Sequence, residues 1–436
     1  MKAIGIDIGT TTISAVVLEQ STGEVLESRT IPNGSFIETE QEWERIQDAE
    51  TVVRKATETL DGLLERHPDI SSIGLTGQMH GVVYVDADGR SVSPLYTWQD
   101  GRCALPGPDG RTLTERALEK TGVQAASGYG LATHLYQLEN GQVPKEAVCL
   151  CTIADYLGMV LTGRRRPLVH VSNAASLGFF DVKRGEFRRD ALREMGADEA
   201  ILPDVTDSFE RLGAYRGIPV TVALGDNQAS FLGSVGMKEH TLLLNMGTGG
   251  QISALSGTYF EGPGIEARPL VGGKYLLVGA SLCGGRAYAI LERFLRGCAV
   301  ACGGEDRPAY GVLEELARKG LAQTDRMEVR TTFHGTRQDP SLRGAVANIS
   351  EDNFTPEGLA CGVLEGMARE LYELYGVMRG GAGVRAVRLV ASGNGLRRNP
   401  VLRGICARMF GAELTLAPYE EEAACGAAKS SLPAER

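Results

Sequence analysis

The sequence predicts an α/β protein built from two related domains, and three observations carry that expectation. Runs rich in Val, Ile and Leu end in Gly, Asp or Asn and alternate with amphipathic segments of helical spacing, the pattern of strands and helices in an α/β protein. At 436 residues the chain is too long for one ordinary core, so two domains are expected. The N-terminal stretch IGIDIGTTTISAVVL also has a weaker echo in LLLNMGTGGQISAL, Leu242 to Leu255. Each copy reads as apolar strand, polar residue (Asp7 or Asn245), Gly-Thr turn and second strand, and each opens one half of the chain. Two such halves, residues 1–222 and 223–436, are expected to face each other across a cleft.

Taken in order, Ala3 to Glu19 forms two apolar strands around the turn Gly9, Thr10, Thr11 and Thr12. Asp7 stands inside the first strand, where an ionised carboxylate is costly unless something pairs with it. A metal ion carried on a nucleotide's phosphates would be such a partner. Thr51 to His67 has apolar residues at helical spacing, and ISSIGLTGQMHG after it reads as a buried strand leading into a loop. VCLCTIADYLGMVLTG reads as strand, then helix, with Asp155 as its N-cap. PGPDG, Pro106 to Gly110, is a surface turn. LACGVLEGMARELYELYGVM is a long helix, followed by the strand AVRLVASG and a glycine turn at Ser392 to Gly395.

Composition narrows the function classes. Apolar residues make up 43% and charged residues 23%, as in soluble globular proteins. Net charge is 45 − 55 = −10, which argues against a nucleic-acid partner, since such proteins usually carry a basic face. No apolar run reaches the roughly 20 residues of a membrane span. The chain enters a strand at once, which leaves no place for a signal peptide. The nine cysteines are an odd number and spread singly, which suits reduced thiols in a cytoplasm. Cys149 with Cys151, and Cys298 with Cys302, lack a second Cys/His pair at zinc spacing, so both pairs read as small buried residues. Oligomeric state, monomer or homodimer, is open at this level.

The chemistry lies in the turns. In a Gly-Thr turn the backbone N–H groups and hydroxyls point outward and form a concavity that suits phosphate oxygens. Two opposed turns would grip one triphosphate from both domains. The Walker A pattern is absent, which excludes a P-loop enzyme. The turn Ser392 to Gly395 would let an adenosine lie close to the backbone.

GIDIGTTT, GQMHG, GDNQ, MGTGG, GTRQDP and SGNG, in that order from Lys2 to about Ala428, resemble the FGGY carbohydrate kinases, a family of the actin-like ATPase (ribonuclease H-like) fold. GQMHG together with a Trp-x-Asp-x-Arg element resembles the ketose-kinase branch. Within it, TWQDGRC (Thr97 to Cys103), GYGLAT and SNAASLGFFD look most like the members acting on sedoheptulose, with the xylulose kinases as near neighbours. The resemblance implies ATP-dependent phosphorylation of a ketose primary hydroxyl, with Mg²⁺, in the cytoplasm, on a small-molecule sugar.

It also implies roles. Asp7 matches the aspartate of the first phosphate loop that helps hold Mg²⁺, and Thr10, Thr11 and Thr12 belong to the turn that meets the nucleotide phosphates. Gln78, Met79 and His80 match the loop that meets sugar hydroxyls, and Trp98, Asp100 and Arg102 match the second sugar-side element. Asp226 matches the catalytic base, which also touches the sugar. Gly247, Thr248 and Gly249 match the second phosphate loop, and Gly393, Asn394 and Gly395 the adenosine loop. Two departures stand out. His134 and Tyr136, in THLYQL, stand where many relatives carry a lysine-tryptophan element, and SGNG stands for the more common glycine triplet.

Each residue also has a plainer reading. Asp226 suits a helix N-cap, His80 a satisfied interior histidine, Trp98 a core aromatic and Arg102 a partner for Asp100 alone. A non-kinase, actin- or chaperone-like ATPase module is the alternative of another class. Such a protein has no need of GQMHG and TWQDGRC, which suit a polyol.

Overall fold

The computed structural model describes residues 1–433, and the chain folds into two compact units. The first comprises Met1–Gly236, the short return Arg268–Gly273 and the chain from Tyr419 onward. The second comprises Met237–Ala267 and Lys274–Pro418. The expected division at residues 222 and 223 falls inside the first unit, so Asp226 shares a unit with Asp7 and Gln78.

The first unit is built on a mixed sheet. Its strands lie in the order Arg211–Tyr215, Ile218–Thr221, Ile70–Gly77, Lys2–Ile8, Thr12–Glu19 and Val25–Pro32, and Leu224–Gly225 also pairs with Ile70–Gly77. Lys2–Ile8 and Thr12–Glu19 form an antiparallel hairpin that sets Asp7 opposite Ser14. Ile70–Gly77 lies parallel to the first strand on its other side, with Asp7 level with Thr76. The hairpin's apolar residues are buried on both faces, because helices cover both. One is Ala49–Arg66, capped by Asp48, whose Oδ1 accepts the Thr51 N–H at 2.6 Å. On the sheet also packs the C-terminal helix Glu422–Ser431, and glycines make room for it. A Cβ at Gly5 would lie 1.8 Å from the Ala424 carbonyl oxygen, and one at Gly74 would lie 1.7 Å from that of Ala427.

The second unit repeats the theme. Its sheet runs Ile265–Pro269, Tyr275–Ser281, Gly250–Ser256, Thr241–Met246, Arg388–Ser392 and Glu413–Leu416. Thr241–Met246 and Gly250–Ser256 form the second hairpin, and Arg388–Ser392 lies parallel to its first strand. In both units, therefore, a parallel strand flanks the hairpin on one side and an antiparallel strand on the other. The echo in the sequence is an echo of topology. Each unit has its own buried apolar core. The long helix is Pro356–Ala382, with Thr355 as N-cap, Pro356 in its first turn and Gly383 in the left-handed conformation at its end, the arrangement that starts and stops helices efficiently.

Two local expectations need correction. Thr152, not Asp155, caps helix Ile153–Thr162. Asp155 is the third helical residue and returns a hydrogen bond to the cap, forming a capping box, for which the Thr-x-x-Asp spacing is the signal. Cys149 and Cys151 are buried as expected, but Cys298 and Cys302 are exposed at the end of helix Gly285–Ala301. Among the described residues no disulfide forms, no group of three or more metal-type side chains gathers, and no helix is long and apolar enough to cross a membrane.

Candidate active site

Three parallel strands of the first unit end side by side. Gly225 pairs with Gly77, and Gly77 pairs with Ile8. The residues that follow, Asp226, Gln78 and the Gly9–Thr10 turn, therefore emerge together at the carboxyl edge of the sheet. Asp7 points out one residue earlier. Its Oδ1 is shut away from solvent and has no hydrogen-bond partner. Burial, with the carboxylates of Asp226 and Glu421 nearby, pushes its pKa up to about 7. Asp226 opens helix Asp226–Ser234, with Gly225 rather than Asp226 in the capping position. Burial lifts its carboxyl to about 6, opposed by the Asn227 backbone N–H and the Arg268 guanidinium. Two carboxylates sharing an enclosed edge, one with an orphaned oxygen, are a donor set that fits a divalent cation.

The chain before Asp226 is held on both sides. The Ser172 hydroxyl accepts the Gly225 N–H at 3.0 Å. Asn173 Nδ2 donates to the Ala223 carbonyl at 3.2 Å and to Asp155 Oδ1 at 3.4 Å. Asp155 in turn accepts the Thr152 hydroxyl at 2.6 Å, and burial lifts its own pKa to about 7. The Thr76 hydroxyl donates to the Leu224 carbonyl at 2.9 Å. Met79 is buried, and its thioether end lies over Gly225.

Gln78 is fixed by a chain of amides. Its Nε2 donates to Gln47 Oε1 at 2.9 Å, and Gln47 Nε2 donates to the Thr10 carbonyl at 2.8 Å. The Thr10 hydroxyl donates to Gln78 Oε1 at 3.3 Å and accepts the Trp98 indole N–H at 3.0 Å. The side chain of Thr10 thus joins the phosphate-type turn to the sugar-type loops, while Thr11 and Thr12 are exposed. His80 has φ 73°, a strained region for a non-glycine residue that is often found at functional sites. It is over-determined by its surroundings. The Ser176 hydroxyl accepts its N–H at 3.1 Å, the Ser176 carbonyl accepts Nδ1–H at 2.8 Å, and its ring stacks on Tyr129 at 4.4 Å. Trp98 keeps 47% of its surface exposed although its N–H is tied, which leaves a ring face for a ligand.

Asp100 and Arg102 form a buried pair. Asp100 accepts Arg102 Nε at 2.6 Å and Nη2 at 3.0 Å, and also the backbone N–H groups of Arg45 and Arg102. The guanidinium lies 4.5 Å over Tyr96, with Trp43 and Tyr136 around it, and meets Glu44 at 3.2 Å. Both side chains are 3% exposed or less. They are occupied within the chain and brace the Trp98 loop from behind. Tyr136 serves the same pair. His134 is buried, its Nδ1 bonded to the Tyr84 hydroxyl at 2.9 Å, and burial lowers its pKa to about 4.

In the second unit, Gly247, Thr248 and Gly249 form the turn of the hairpin. Their carbonyls anchor helix Gly285–Ala301, with the Gly285 N–H on Gly247 at 2.8 Å and the Arg286 N–H on Thr248 at 3.0 Å. Gly393, Asn394 and Gly395 open a short helix, Gly393–Arg398, rather than a free turn. A Cβ at Gly393 would lie 2.7 Å from the Met246 carbonyl oxygen, so these glycines let the helix close onto the end of the neighbouring strand. The two candidate nucleotide elements therefore stand beside one another at the carboxyl edge of this sheet. Residues the sequence did not single out are Gln47, Ser172, Asn173, Arg268 and Glu421. Each is distant in sequence from a group it serves, and only the stretch SNAASLGFFD, which holds Ser172 and Asn173, carried a signal.

The FGGY N-terminal domain model matches residues 2–233 and the C-terminal domain model residues 242–431. The chain belongs to the FGGY family of carbohydrate kinases. It is 28% identical to a sedoheptulokinase of Mus musculus, over 93% of this chain and 92% of that protein. It is 25% identical to a xylulose kinase of Staphylococcus xylosus, over 98% and 89%. Among solved structures, a xylulose kinase from Rhodospirillum rubrum superposes with a TM-score of 0.82 at 23% identity, covering 99% of this chain and 89% of that one. As an FGGY member the chain is a sugar kinase with the two-domain α/β fold of actin-like ATPases.

Proposed function

We propose that this FGGY kinase transfers the γ-phosphoryl group of ATP to the primary hydroxyl of a ketose, with sedoheptulose preferred over xylulose. One observation carries the reading. Asp226 is anchored at the carboxyl edge of the first sheet, beside Gln78 and in electrostatic reach of Asp7, with its carboxyl lifted toward neutrality. Full-length similarity to a sedoheptulokinase supports the choice of sugar.

A primary hydroxyl attacks poorly while protonated. Asp226 accepts that proton as attack develops. Gln78 and His80 orient the hydroxyls, and the face of Trp98 stacks on the sugar. Backbone N–H groups of the turns at Gly9–Thr12 and Gly247–Gly249 stabilise charge on the phosphates, and Gly393–Gly395 receive the adenosine. Asp7 is the residue that would hold Mg²⁺, whose charge neutralises phosphate oxygens when bound. The cytoplasm is the proposed compartment.

A coupled kinase assay over ketoses of five to seven carbons tests this. Sedoheptulose is expected to give the highest kcat/KM. A tenfold or greater preference for xylulose or a hexose, about 1.4 kcal/mol of transition-state discrimination, overturns the choice of sugar. Absence of turnover with every ketose overturns the ketose reading.

A further inference from the structure

Beside the Trp98 loop lies an open pocket of about 520 Å³ that none of the roles above uses. It is lined by Phe36, Ile37, Thr39, Glu44, Arg45 and Gln99, among others. We infer that this pocket is the subsite for the end of the sugar remote from the reacting hydroxyl, and that Arg45 and Gln99 set the sugar length the enzyme prefers. The inference rests on the ketose reading and deepens it.

The placement follows from the backbone. Residues 36–37 pair with 46–47, and Ile46–Gln47 pairs with Leu95–Tyr96, making a small platform. Gln47 faces the active site, since its amide holds Gln78 and Thr10. Arg45 is two residues away in this extended segment. It therefore projects to the same face, about 7 Å further on at the ~3.3 Å rise of a strand. The opposite rim is Gln99, next to Trp98. A sugar with its reacting hydroxyl at Asp226 runs past Gln78 and along Trp98 toward this pocket, and only its remote carbons enter.

The lining suits that end of a sugar. The Arg45 guanidinium donates one hydrogen bond, to the neighbouring Glu44 carbonyl at 3.2 Å, and forms no ion pair among the described residues. Gln99 is exposed, and its side-chain amide has no partner among them. Hydrogen bonds hold the backbones that carry them, and the Gln99 N–H donates to the Thr97 hydroxyl at 3.3 Å. The Arg45 N–H donates to Asp100 at 3.0 Å, and the Arg45 carbonyl accepts the Thr97 hydroxyl at 2.8 Å and the Thr97 N–H at 3.0 Å. Phe36 and Ile37, 42% and 40% exposed, offer apolar surface to the C–H faces of a carbon chain. Ordered backbones carrying uncommitted donors beside an apolar wall are the mixture that recognises a polyol. The buried Asp100–Arg102 pair gains a purpose here, because it holds both rims.

The test is steady-state kinetics of Arg45→Ala and Gln99→Ala with xylulose, fructose and sedoheptulose. Thermal melting checks that each variant is folded. The ratio of kcat/KM for sedoheptulose to that for xylulose is expected to fall at least tenfold in one or both variants, mainly through KM. Fructose should fall in between, and Arg45→Lys should recover part of the loss. If wild type turns over ketoses but the ratio stays within twofold in both folded variants, the subsite is wrong and the ketose reading stands. If wild type turns over no ketose, both fall together.

Discussion

Asp7 and Asp226 show how a sheet edge turns ordinary carboxylates into reactive ones. Both stand where buried strands end; burial raises the pKa of each, and the carboxylates of Asp226 and Glu421 add to the rise at Asp7. A carboxyl lifted toward neutrality is a stronger base than a surface aspartate, which is what proton removal from a hydroxyl requires. Asn is nearly isosteric with Asp and still hydrogen-bonds, but it accepts no proton near neutral pH. Asp226→Asn should keep the fold and much of the sugar affinity while kcat falls by at least about 10²-fold, the lower range for a positioned base. A folded variant with kcat within threefold of wild type would rule Asp226 out. Asp100, fully engaged by Arg102 and Arg45, is not placed to take over.

At the scale of elements, helix Ile153–Thr162 and the segment after it hold the strand end that carries Asp226. The capping box at Thr152 orients Asp155, Asp155 orients Asn173, and Asn173 holds the Ala223 carbonyl. Removing the amide with Asn173→Ala leaves a buried carboxyl and a buried carbonyl short of a donor, a loss of about 1–3 kcal/mol. We expect kcat to fall more than KM rises, because the backbone before Asp226 loosens while the sugar-side loops are untouched. Equal melting temperatures and equal kcat would show the network to be idle.

The helix Gly130–Glu139 carries the family departure His134, and burial gives it a pH signature. Its folded pKa, about 4, lies below the ordinary 6.5, so below pH 6.5 the unfolded chain binds a proton the folded one refuses. Stability is therefore lost as pH falls from about 6.5 toward 4. At 1.36 kcal/mol per unit, the loss between pH 6.5 and 5 is about 2 kcal/mol. His134→Gln, which can still bond the Tyr84 hydroxyl, should show a smaller drop in denaturant midpoint between pH 7 and pH 5. An identical drop would mean that His134 does not stay neutral in the fold.

At the scale of the whole molecule, the chain's last helix is built into its first sheet. Glu422–Ser431 lies on Gly5 and Gly74, with no space for a methyl group between backbones. Overpacking usually costs about 1–3 kcal/mol, and more where the obstacle is a backbone rather than a side chain. Gly74→Ala is therefore expected to lower stability by at least about 3 kcal/mol in urea unfolding, with loss of activity. Gly297→Ala is the contrast: it lies in a helix with open space around it and should be neutral or stabilise by up to about 1 kcal/mol. If the two variants unfold alike, the close approach carries no weight.

What the sequence determined by itself was local and periodic. Strand-turn-strand units, the helices Ala49–Arg66 and Pro356–Ala382, and the doubled hairpin were legible because apolar period and glycine position act within a few residues. Even the capping box was written there, as Thr-x-x-Asp with Thr152 at the cap and Asp155 three residues on. Tertiary structure alone decided who meets whom. Gln47 reaches Gln78, and Asn173 reaches Ala223, across 31 and 50 residues of chain. Arg268 and Glu421 enter the fields of Asp226 and Asp7 from remote segments. The same holds for burial: Cys149 and Cys298 look alike in sequence, yet one is inside and the other exposed. Asp100 and Arg102 look like ligand groups until their surroundings consume them. The reason is physical. Propensity and period are properties of short segments, whereas hydrogen-bond partners, desolvation and free space are set only when distant segments pack together.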